Sequence, residues 1–237
     1  MNKILWWIRE ILFPRRCPVC DKPVRPAGKL ICDTCKNELK YVSEIYCMKC
    51  GKPLWEETQE YCEDCLKKRH KFVQGKSLYE YKSASGMIYR FKYGKRREYA
   101  EFLGREMAEH FSADLKKWGA EMLVPVPIHK SRKRQRGYNQ AELLAAEFSK
   151  RTGIPMKSNL IVRCKKTVPQ KMLNDTERQN NLKRAFKIGQ NDVKLSTIII
   201  IDDIYTTGST VNEMATVLSK AGIDKIYVLT LAIGCAV

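Results

Sequence analysis

Residues 197–210 read TIIIIDDIYTTGST, and this stretch decides the fold. Its four consecutive isoleucines show no polar alternation, which predicts a strand buried on both faces in the middle of a parallel sheet. Asp202 and Asp203 stand where that strand is expected to end. A loop of threonine, glycine and serine follows, and residues 211–222 then predict an amphipathic helix that ends at a glycine.

The chemistry of this loop suits a sugar phosphate. Ligands of open α/β sheets bind at the carboxyl ends of the strands. Small residues there let backbone N–H groups approach a phosphate, and the helix dipole favours its negative charge. The two carboxylates have the wrong sign for phosphate, but they suit adjacent hydroxyls or a bridging Mg²⁺. A ribose 5-phosphate, with vicinal hydroxyls beside a phosphate, satisfies both requirements.

A purely structural role for residues 197–210 is less favoured. A buried strand whose terminal acids only cap the next helix would need one acid and none of the loop. Two phosphate-binding motifs are also excluded. A Walker A loop lacks its Gly-Lys pair here, and a dinucleotide-binding loop lacks its GxGxxG.

Four CxxC pairs, with first cysteines fifteen residues apart, occupy residues 17–65. Two such pairs supply the four thiolates of a structural zinc site, so the repeat predicts two zinc ions and a segment that is unfolded without metal. Sequential pairing of the knuckles is the simplest, and pairing of the first with the third stays open. Disulfides and an iron–sulfur cluster are the less favoured alternatives. The predicted ligands are Cys17, Cys20, Cys32, Cys35, Cys47, Cys50, Cys62 and Cys65.

The charge balance predicts a polyanionic partner. Among 237 residues, 44 Lys and Arg stand against 26 Asp and Glu, which gives a net charge of +18. Nucleic acid is the favoured partner, and an anionic membrane is the weaker alternative. No helix-turn-helix is evident, so sequence-specific duplex recognition is not expected. Ten cysteines without a recognisable signal peptide predict a reducing compartment.

Residues 1–13 are apolar but too short to span a bilayer. The favoured prediction is a short helix packed on the neighbouring domain. The alternative is an interfacial helix that makes a peripheral membrane contact through Trp6 and Trp7.

A second strand, loop and helix is predicted upstream. A strand near 121–126 runs into a Pro-x-Pro turn and a cationic run, and a helix follows from Asn139 to Lys150. In a parallel sheet both loops lie at one edge, so this loop is predicted to take a pyrophosphate. A solvated face or a surface that follows a nucleic-acid backbone is an equal alternative for the run. The predicted nucleic-acid residues are Arg132, Lys133, Arg134 and Arg136.

The remaining elements follow from local patterns. The sequence predicts strands at 72–81, 160–164 and 225–233, and helical periodicity at 84–111 with a break at 94–97. It also predicts a polar segment at 165–174, which closes over a pyrophosphate or contacts nucleic acid, and a helix at 177–186.

Three segments together resemble the ComF family of competence proteins. They are the CxxC repeat, residues 125–140 (PVPIHKSRKRQRGYNQ) and residues 201–210 (IDDIYTTGST). Residues 89–94 (YRFKYG) and 169–180 also match the family's pattern. The resemblance implies an α/β fold, a type I phosphoribosyltransferase-like parallel-sheet domain preceded by a small Cys-rich zinc-ribbon domain. The N-terminal helix and double zinc ribbon would occupy residues 1–66, and the second domain residues 67–237.

The resemblance also implies a ligand, 5-phosphoribosyl 1-pyrophosphate (PRPP) with Mg²⁺. Asp202 and Asp203 would be the catalytic pair that holds the ribose 2- and 3-hydroxyls, and Lys92 would contact the pyrophosphate or another part of the ligand. The residues implied to cradle the 5-phosphate are Thr206, Thr207, Gly208, Ser209 and Thr210.

The implied function is natural transformation. The family resemblance points to a cytoplasmic DNA-uptake factor, with the inner face of the membrane as an alternative location. Its implied partners are single-stranded DNA, the competence helicase and the recombination mediator that loads incoming DNA. Two other hypotheses stay open, an active phosphoribosyltransferase on an unknown acceptor and a non-catalytic, PRPP-responsive adaptor for a helicase.

Overall fold

The computed structural model describes most of the chain. It covers residues 12–26, 28–165, 185–189 and 195–234. The predictions for Trp6 and Trp7, and for nearly all of residues 165–184, fall outside these ranges. Within the described ranges, no helix has both the length and the apolar character that crossing a membrane requires.

Four parallel strands form the central sheet of the described residues. In spatial order they are β1 (Gln74–Glu80), β6 (Lys225–Ile233), β5 (Thr197–Tyr205) and β2 (Met122–Pro125), numbered in chain order. Each strand pairs in parallel with its neighbours. The predicted fold class, a parallel-sheet α/β domain after a Cys-rich region, is confirmed.

The isoleucines of β5 are buried on both faces of the sheet, as predicted. Ile199 and Ile201 belong to one core cluster, and Ile198 and Ile200 belong to the cluster on the opposite face. Because successive side chains of a strand point to opposite faces, an unbroken apolar run is what two buried faces require.

Strand β5 continues beyond the acidic pair, where the sequence predicted its end. Its pairing with β6 runs on through Ile204 opposite Ala232 and Tyr205 opposite Ile233. The long partner strand β6 supplies hydrogen-bonding groups as far as Tyr205. The local sequence of β5 does not indicate how long its partner strand is. Asp202 and Asp203 therefore lie inside the last four residues of the strand.

Helices cover both faces of the sheet. On one face lie α3 (Tyr81–Tyr93), α4 (Tyr99–His110) and α7 (Gln140–Thr152), whose apolar residues share the cluster of Ile199. On the other face lies α8 (Ser209–Lys220). The break predicted at 94–97 falls between α3 and α4. Helix α5 (Ser112–Trp118) ends with Trp118 stacked on Tyr227, with ring centroids 4.3 Å apart.

The cationic run predicted as a loop folds instead as a short helix, α6 (Lys130–Arg136). The His129 side chain caps it by accepting a hydrogen bond from the Ser131 backbone N–H at 3.3 Å. Gly137 ends it in the left-handed conformation, with φ of 83°. Lysine, arginine and glutamine are good helix formers, so the composition of the run favours a helix. This region therefore offers cationic side chains rather than a loop of backbone N–H groups.

A small antiparallel pair stands outside the main sheet. It consists of β3 (Ile161–Arg163) and β4 (Phe186–Ile188). The first was predicted as a strand. Phe186 was predicted as the last residue of a helix, and it lies in β4 instead because Val162 and its neighbours provide a pairing partner.

The N-terminal region contains two copies of one motif, thirty residues apart. The backbone N–H of Cys17 donates to the Lys22 carbonyl at 2.8 Å, and the N–H of Cys47 donates to the Lys52 carbonyl at 2.8 Å. The short helices α1 (Asp33–Lys36) and α2 (Glu63–Lys67) occupy equivalent places in the two copies. The domain boundary after residue 66 stays a prediction.

Helices α4 and α7 cross closely at Gly104, and a substitution there tests this contact. A Cβ at this position would lie 2.5 Å from the Cβ of Glu147. We expect Gly104→Val to lower the free energy of unfolding by about 1–3 kcal/mol, because the helices would have to separate. Urea unfolding measures this change. The matched control is Gly86→Ala on the exposed side of α3, where the nearest atom is 3.5 Å away. An equal stability of the two variants would contradict the crossing.

Candidate functional site

Three separate elements meet around the acidic pair. Asp202 and Asp203 come from β5, and Lys92 comes from the last turn of α3. The Lys92 Nζ lies 2.8 Å from Oδ1 of Asp203, and both side chains are largely buried. The Asp203 backbone N–H donates to Oδ1 of Asp202 at 2.8 Å. The structure thus brings the predicted Lys92 to the predicted acidic pair across more than a hundred residues of sequence.

The two carboxyl groups have different electrostatic surroundings. Burial, and then the negative charge of Asp203, raise the pKa of Asp202 to about 7. The positive charges of Lys92 and Arg163 act in the opposite direction. Asp203 instead has a close ion-pair partner in Lys92. A carboxyl group near its pKa at neutral pH can gain or lose a proton when a ligand arrives.

The loop after β5 leads through a glycine into the N-terminus of a helix. Gly208 adopts φ of 71°, and a Cβ there would overlap the Tyr205 hydroxyl, so only glycine fits. Helix α8 begins at the next residue, and its first N–H groups have no intrahelical acceptors. The Thr207 and Ser209 hydroxyls lie 2.8 Å apart. The predicted residues of this loop, Thr206 to Thr210, therefore surround one helix N-terminus.

The first zinc ribbon supports the helix that carries Lys92. The Arg90 guanidinium donates to the carbonyls of Pro18, at 3.0 Å, and Val19. Just beyond the helix, Arg96 makes two 2.8 Å contacts with the Asp21 carboxylate. These contacts anchor the carboxyl end of α3 to the first knuckle.

The second zinc ribbon supports the loop from the other side. Tyr205 packs edge-on against Phe72, with centroids 6.4 Å apart, and Phe72 shares a core cluster with Cys50. The backbone N–H of Lys71 donates to Oδ1 of Asn212 in α8 at 2.6 Å. Burial raises the pKa of Tyr205 far above its ordinary value. The loop and the second ribbon are thus parts of one packed core.

The eight predicted zinc ligands form two clusters. Within each cluster the sulfur atoms lie within 4.8 Å of one another. The Sγ atoms of Cys50 and Cys62 are 3.6 Å apart, close to the ~3.8 Å edge of a tetrahedron with 2.3 Å Zn–S bonds. Four converging thiols fit zinc, and the two sets support two structural zinc ions. Sequential pairing is confirmed: one set is Cys17, Cys20, Cys32 and Cys35, and the other is Cys47, Cys50, Cys62 and Cys65.

The four predicted nucleic-acid residues differ in their surroundings. Arg136 donates to Oε1 of Gln140 at 2.9 Å and to the Tyr93 hydroxyl at 3.2 Å. Lys133 forms an exposed ion pair with Glu142 at 2.8 Å. Arg134 is exposed, and Arg132 is half-buried beside Arg136. They are therefore not a uniform solvated row, because Arg132 and Arg136 are partly buried while Lys133 and Arg134 are exposed.

Sequence reasoning missed Arg163. It ends β3, its guanidinium lies 5.4 Å from the centre of the Phe186 ring, and its charge reaches Asp202. Burial, and then the positive charge of Arg132, lower the pKa of Arg163 to about 10. The one sequence signal for this role was that Arg163 is a basic residue near the end of a predicted strand. The structure thereby adds a guanidinium to the acidic pair's surroundings.

Comparisons with known proteins agree with the double zinc ribbon and with a relationship to competence proteins. Residues 8–66 match the family model described as a double zinc ribbon domain. Over 114 residues the chain is 40% identical to competence protein F of Haemophilus influenzae, which covers 47% of this chain and 50% of that protein. Over 150 residues it is 31% identical to the DNA utilization protein YhgH of Escherichia coli, with 62% and 66% covered.

The chain is homologous to competence protein F and to YhgH, which confirms the predicted relationship to competence proteins. The matching segments span half to about two thirds of these relatives. Among solved structures, adenine phosphoribosyltransferase of Saccharomyces cerevisiae is similar at 14% identity and a TM-score of 0.34, over 54% of this chain and 68% of that one. That likeness is distant, and the fold assignment rests on the chain's own parallel sheet.

The raised pKa of Asp202 gives a test by stability. A carboxyl group that holds its proton more tightly in the folded chain makes the fold less stable as pH rises from its ordinary pKa of 3.8 to about 7. We expect Asp202→Asn to have a higher free energy of unfolding than the native chain at pH 8, and a smaller gain at pH 5. Urea titrations at the two pH values measure both.

Asp203→Asn is the control for this experiment, because it removes a carboxylate that is ion-paired with Lys92 and should not stabilise the fold. If Asp202→Asn has the native stability at both pH values, the electrostatic account of the pair is wrong.

Proposed function

We propose that this chain is a cytoplasmic DNA-handling factor of the competence type that binds PRPP with Mg²⁺ at the end of β5 and binds single-stranded DNA. The observation that carries the PRPP part is the meeting of Lys92, the acidic pair and the glycine-bearing loop at one edge of the sheet. If the two acids only capped α8, neither Lys92 nor the glycine-bearing loop would be needed beside them.

Each part of the ligand has a partner in this arrangement. The carboxylates of Asp202 and Asp203 accept hydrogen bonds from the ribose hydroxyls. The N-terminus of α8 and the hydroxyls of its loop receive the 5-phosphate. Lys92 leaves Asp203 and turns to the pyrophosphate, so that one ion pair is exchanged for another. Mg²⁺ would supply further positive charge to the pyrophosphate.

The proposed binding of single-stranded DNA is supported by the charge of the chain and by the names of its relatives. The chain carries a net charge of +18, and α6 contains five cations and no acid. Its relatives bear the names of a competence protein and a DNA utilization protein. Phosphate contacts from such cations release counterions, so the affinity for DNA falls steeply as salt rises.

Binding of PRPP with Mg²⁺ is measured by calorimetry. We expect the Asp202→Asn/Asp203→Asn double variant to lose at least about tenfold in affinity, because hydrogen bonds to charged groups contribute roughly 1.5–3 kcal/mol each. The matched control is Asp224→Asn, an exposed acid just before β6 at the opposite edge of the sheet. No binding to the native chain would sink the PRPP part of the proposal.

An adaptor role is the second candidate, and the second ribbon favours it. Trp55 is 96% exposed in the loop between Cys50 and Cys62. Glu56, Glu57 and Glu60 are exposed in the same loop. An exposed tryptophan is a frequent anchor in protein interfaces, and the acids would repel nucleic acid. This loop therefore suits a basic segment of a protein partner, for which we propose the competence helicase.

Replacement of Trp55 tests the adaptor role. We expect Trp55→Ala to weaken helicase binding by at least about tenfold, as for an interface anchor, while PRPP binding stays unchanged. Surface plasmon resonance with the immobilised helicase measures the first, and calorimetry the second. Gln59→Ala in the same loop is the control. An unchanged helicase affinity would remove this loop from the interface.

A further inference from the structure

Two tyrosines form an exposed aromatic pair on α3. Tyr89 and Tyr93 are 65% and 54% exposed, and they lie one turn apart on the same face. Their ring centroids are 5.2 Å apart, with 48° between the ring planes. The core-facing positions of the helix, such as Ile88 and Phe91, are almost completely buried. The outward rings are therefore not needed to hold α3 against the sheet.

A cationic helix borders the aromatic pair. The Arg136 guanidinium lies over the Tyr93 ring, 4.9 Å from its centre, and it donates to the Tyr93 hydroxyl at 3.2 Å. Arg132 is half-buried and lies close enough to Arg136 that burial, and then the positive charge of Arg136, lower its pKa. The pair thus lies directly beside α6, and Lys92 on the same helix reaches Asp203.

The two chain segments beside the pair are rich in cations. Residues 81–97 contain six lysines and arginines and no acid, and residues 122–141 contain five and no acid. Three of these cations pair with carboxylates: Arg96 with Asp21, Lys92 with Asp203, and Lys133 with Glu142. Eleven cations against these three carboxylates leave a strong positive excess next to two exposed aromatic rings.

Positive charge next to exposed aromatic rings is the combination that binds single-stranded nucleic acid, in which cations follow the phosphates and rings stack on the bases. The exposed Trp55 makes a useful contrast, because its neighbours are Glu56, Glu57 and Glu60. A protein partner suits the acidic loop, and a polyanion with unpaired bases suits the face of Tyr89 and Tyr93.

We infer that Tyr89 and Tyr93 form a stacking platform for unpaired bases of a single-stranded nucleic acid whose phosphates follow α6. This inference rests on the proposed binding of single-stranded DNA and assigns residues to it. The strand enters with its bases against α3, beside the edge of the sheet where the acidic pair lies. Paired bases cannot reach the rings, so the platform selects single strands over duplexes without reading their sequence.

Base stacking is separated from charge by comparing two probes. One is a fluorescent oligonucleotide of fifteen thymidines, and the other is an abasic oligonucleotide of the same length and charge. Fluorescence anisotropy at low salt gives the ratio of their affinities. We expect the native protein to bind the thymidine strand at least about tenfold more tightly, because stacking on aromatic side chains contributes substantially for each base.

Variants assign that ratio to the two rings. In Tyr89→Leu/Tyr93→Leu we expect the ratio to fall to near one, while the affinity for the abasic strand is unchanged. The matched control is Tyr61→Leu, which removes an exposed ring of the second ribbon and should keep the native ratio. Arg134→Gln should weaken the binding of both probes equally and reduce the salt dependence of that binding. Because all these side chains are exposed, urea unfolding should show native stability.

The outcomes distinguish this inference from the proposed function. Failure of the native protein to bind either probe at low salt would overturn the DNA part of the proposed function, and the platform with it. Equal native affinity for the two probes would leave DNA binding intact and overturn the platform alone. A native ratio that persists in the double tyrosine variant would overturn the assignment to Tyr89 and Tyr93.

Discussion

Strand β5 sets the constraint on which this structure depends, because it is buried on both faces and yet carries two adjacent carboxyl groups near its end. The isoleucines are satisfied by packing against both core clusters. The acids need counter-charges at the edge of the sheet, and these come from Lys92 on α3 and Arg163 on β3. Elements far apart in the sequence are therefore held at one edge of the sheet.

The two zinc ribbons pack into the core of the larger domain and support it. The first contributes Cys17 and Cys35 to the cluster on one face of the sheet, and the second contributes Cys47 and Cys50 to the cluster on the other. A ribbon of this size has too little apolar surface to fold alone, and here each ribbon shares the core of the larger domain. Loss of either metal would therefore disturb the packing that positions the acidic pair or the loop.

The sequence predicted the features that depend on local pattern. The CxxC spacing, the isoleucine run and the Thr-Gly-Ser loop each carry their own signal. The end of β5 and the Phe186 strand were mispredicted because both depend on a partner strand that is distant in sequence. Arg163 was missed for the same reason. The run at 130–136 shows a different limit, since its charge suggested an anion-binding loop while its helix propensity decided the backbone. The roles of Asp202, Asp203 and the loop residues in ligand binding stay predictions.

The thirty-residue repeat has an evolutionary consequence. Cys17 and Cys47 carry equivalent backbone hydrogen bonds at the same distance, so the two knuckles share one local geometry. The copies differ outside the knuckles: Arg25 in the first stands where Trp55 stands in the second. The first copy is tied to the helix of Lys92 through Asp21, and its variation is limited by that contact. The outer loop of the second copy is exposed, with Trp55 at 96%, so packing constrains its sequence less than that of the knuckles, and related chains should differ most in that loop.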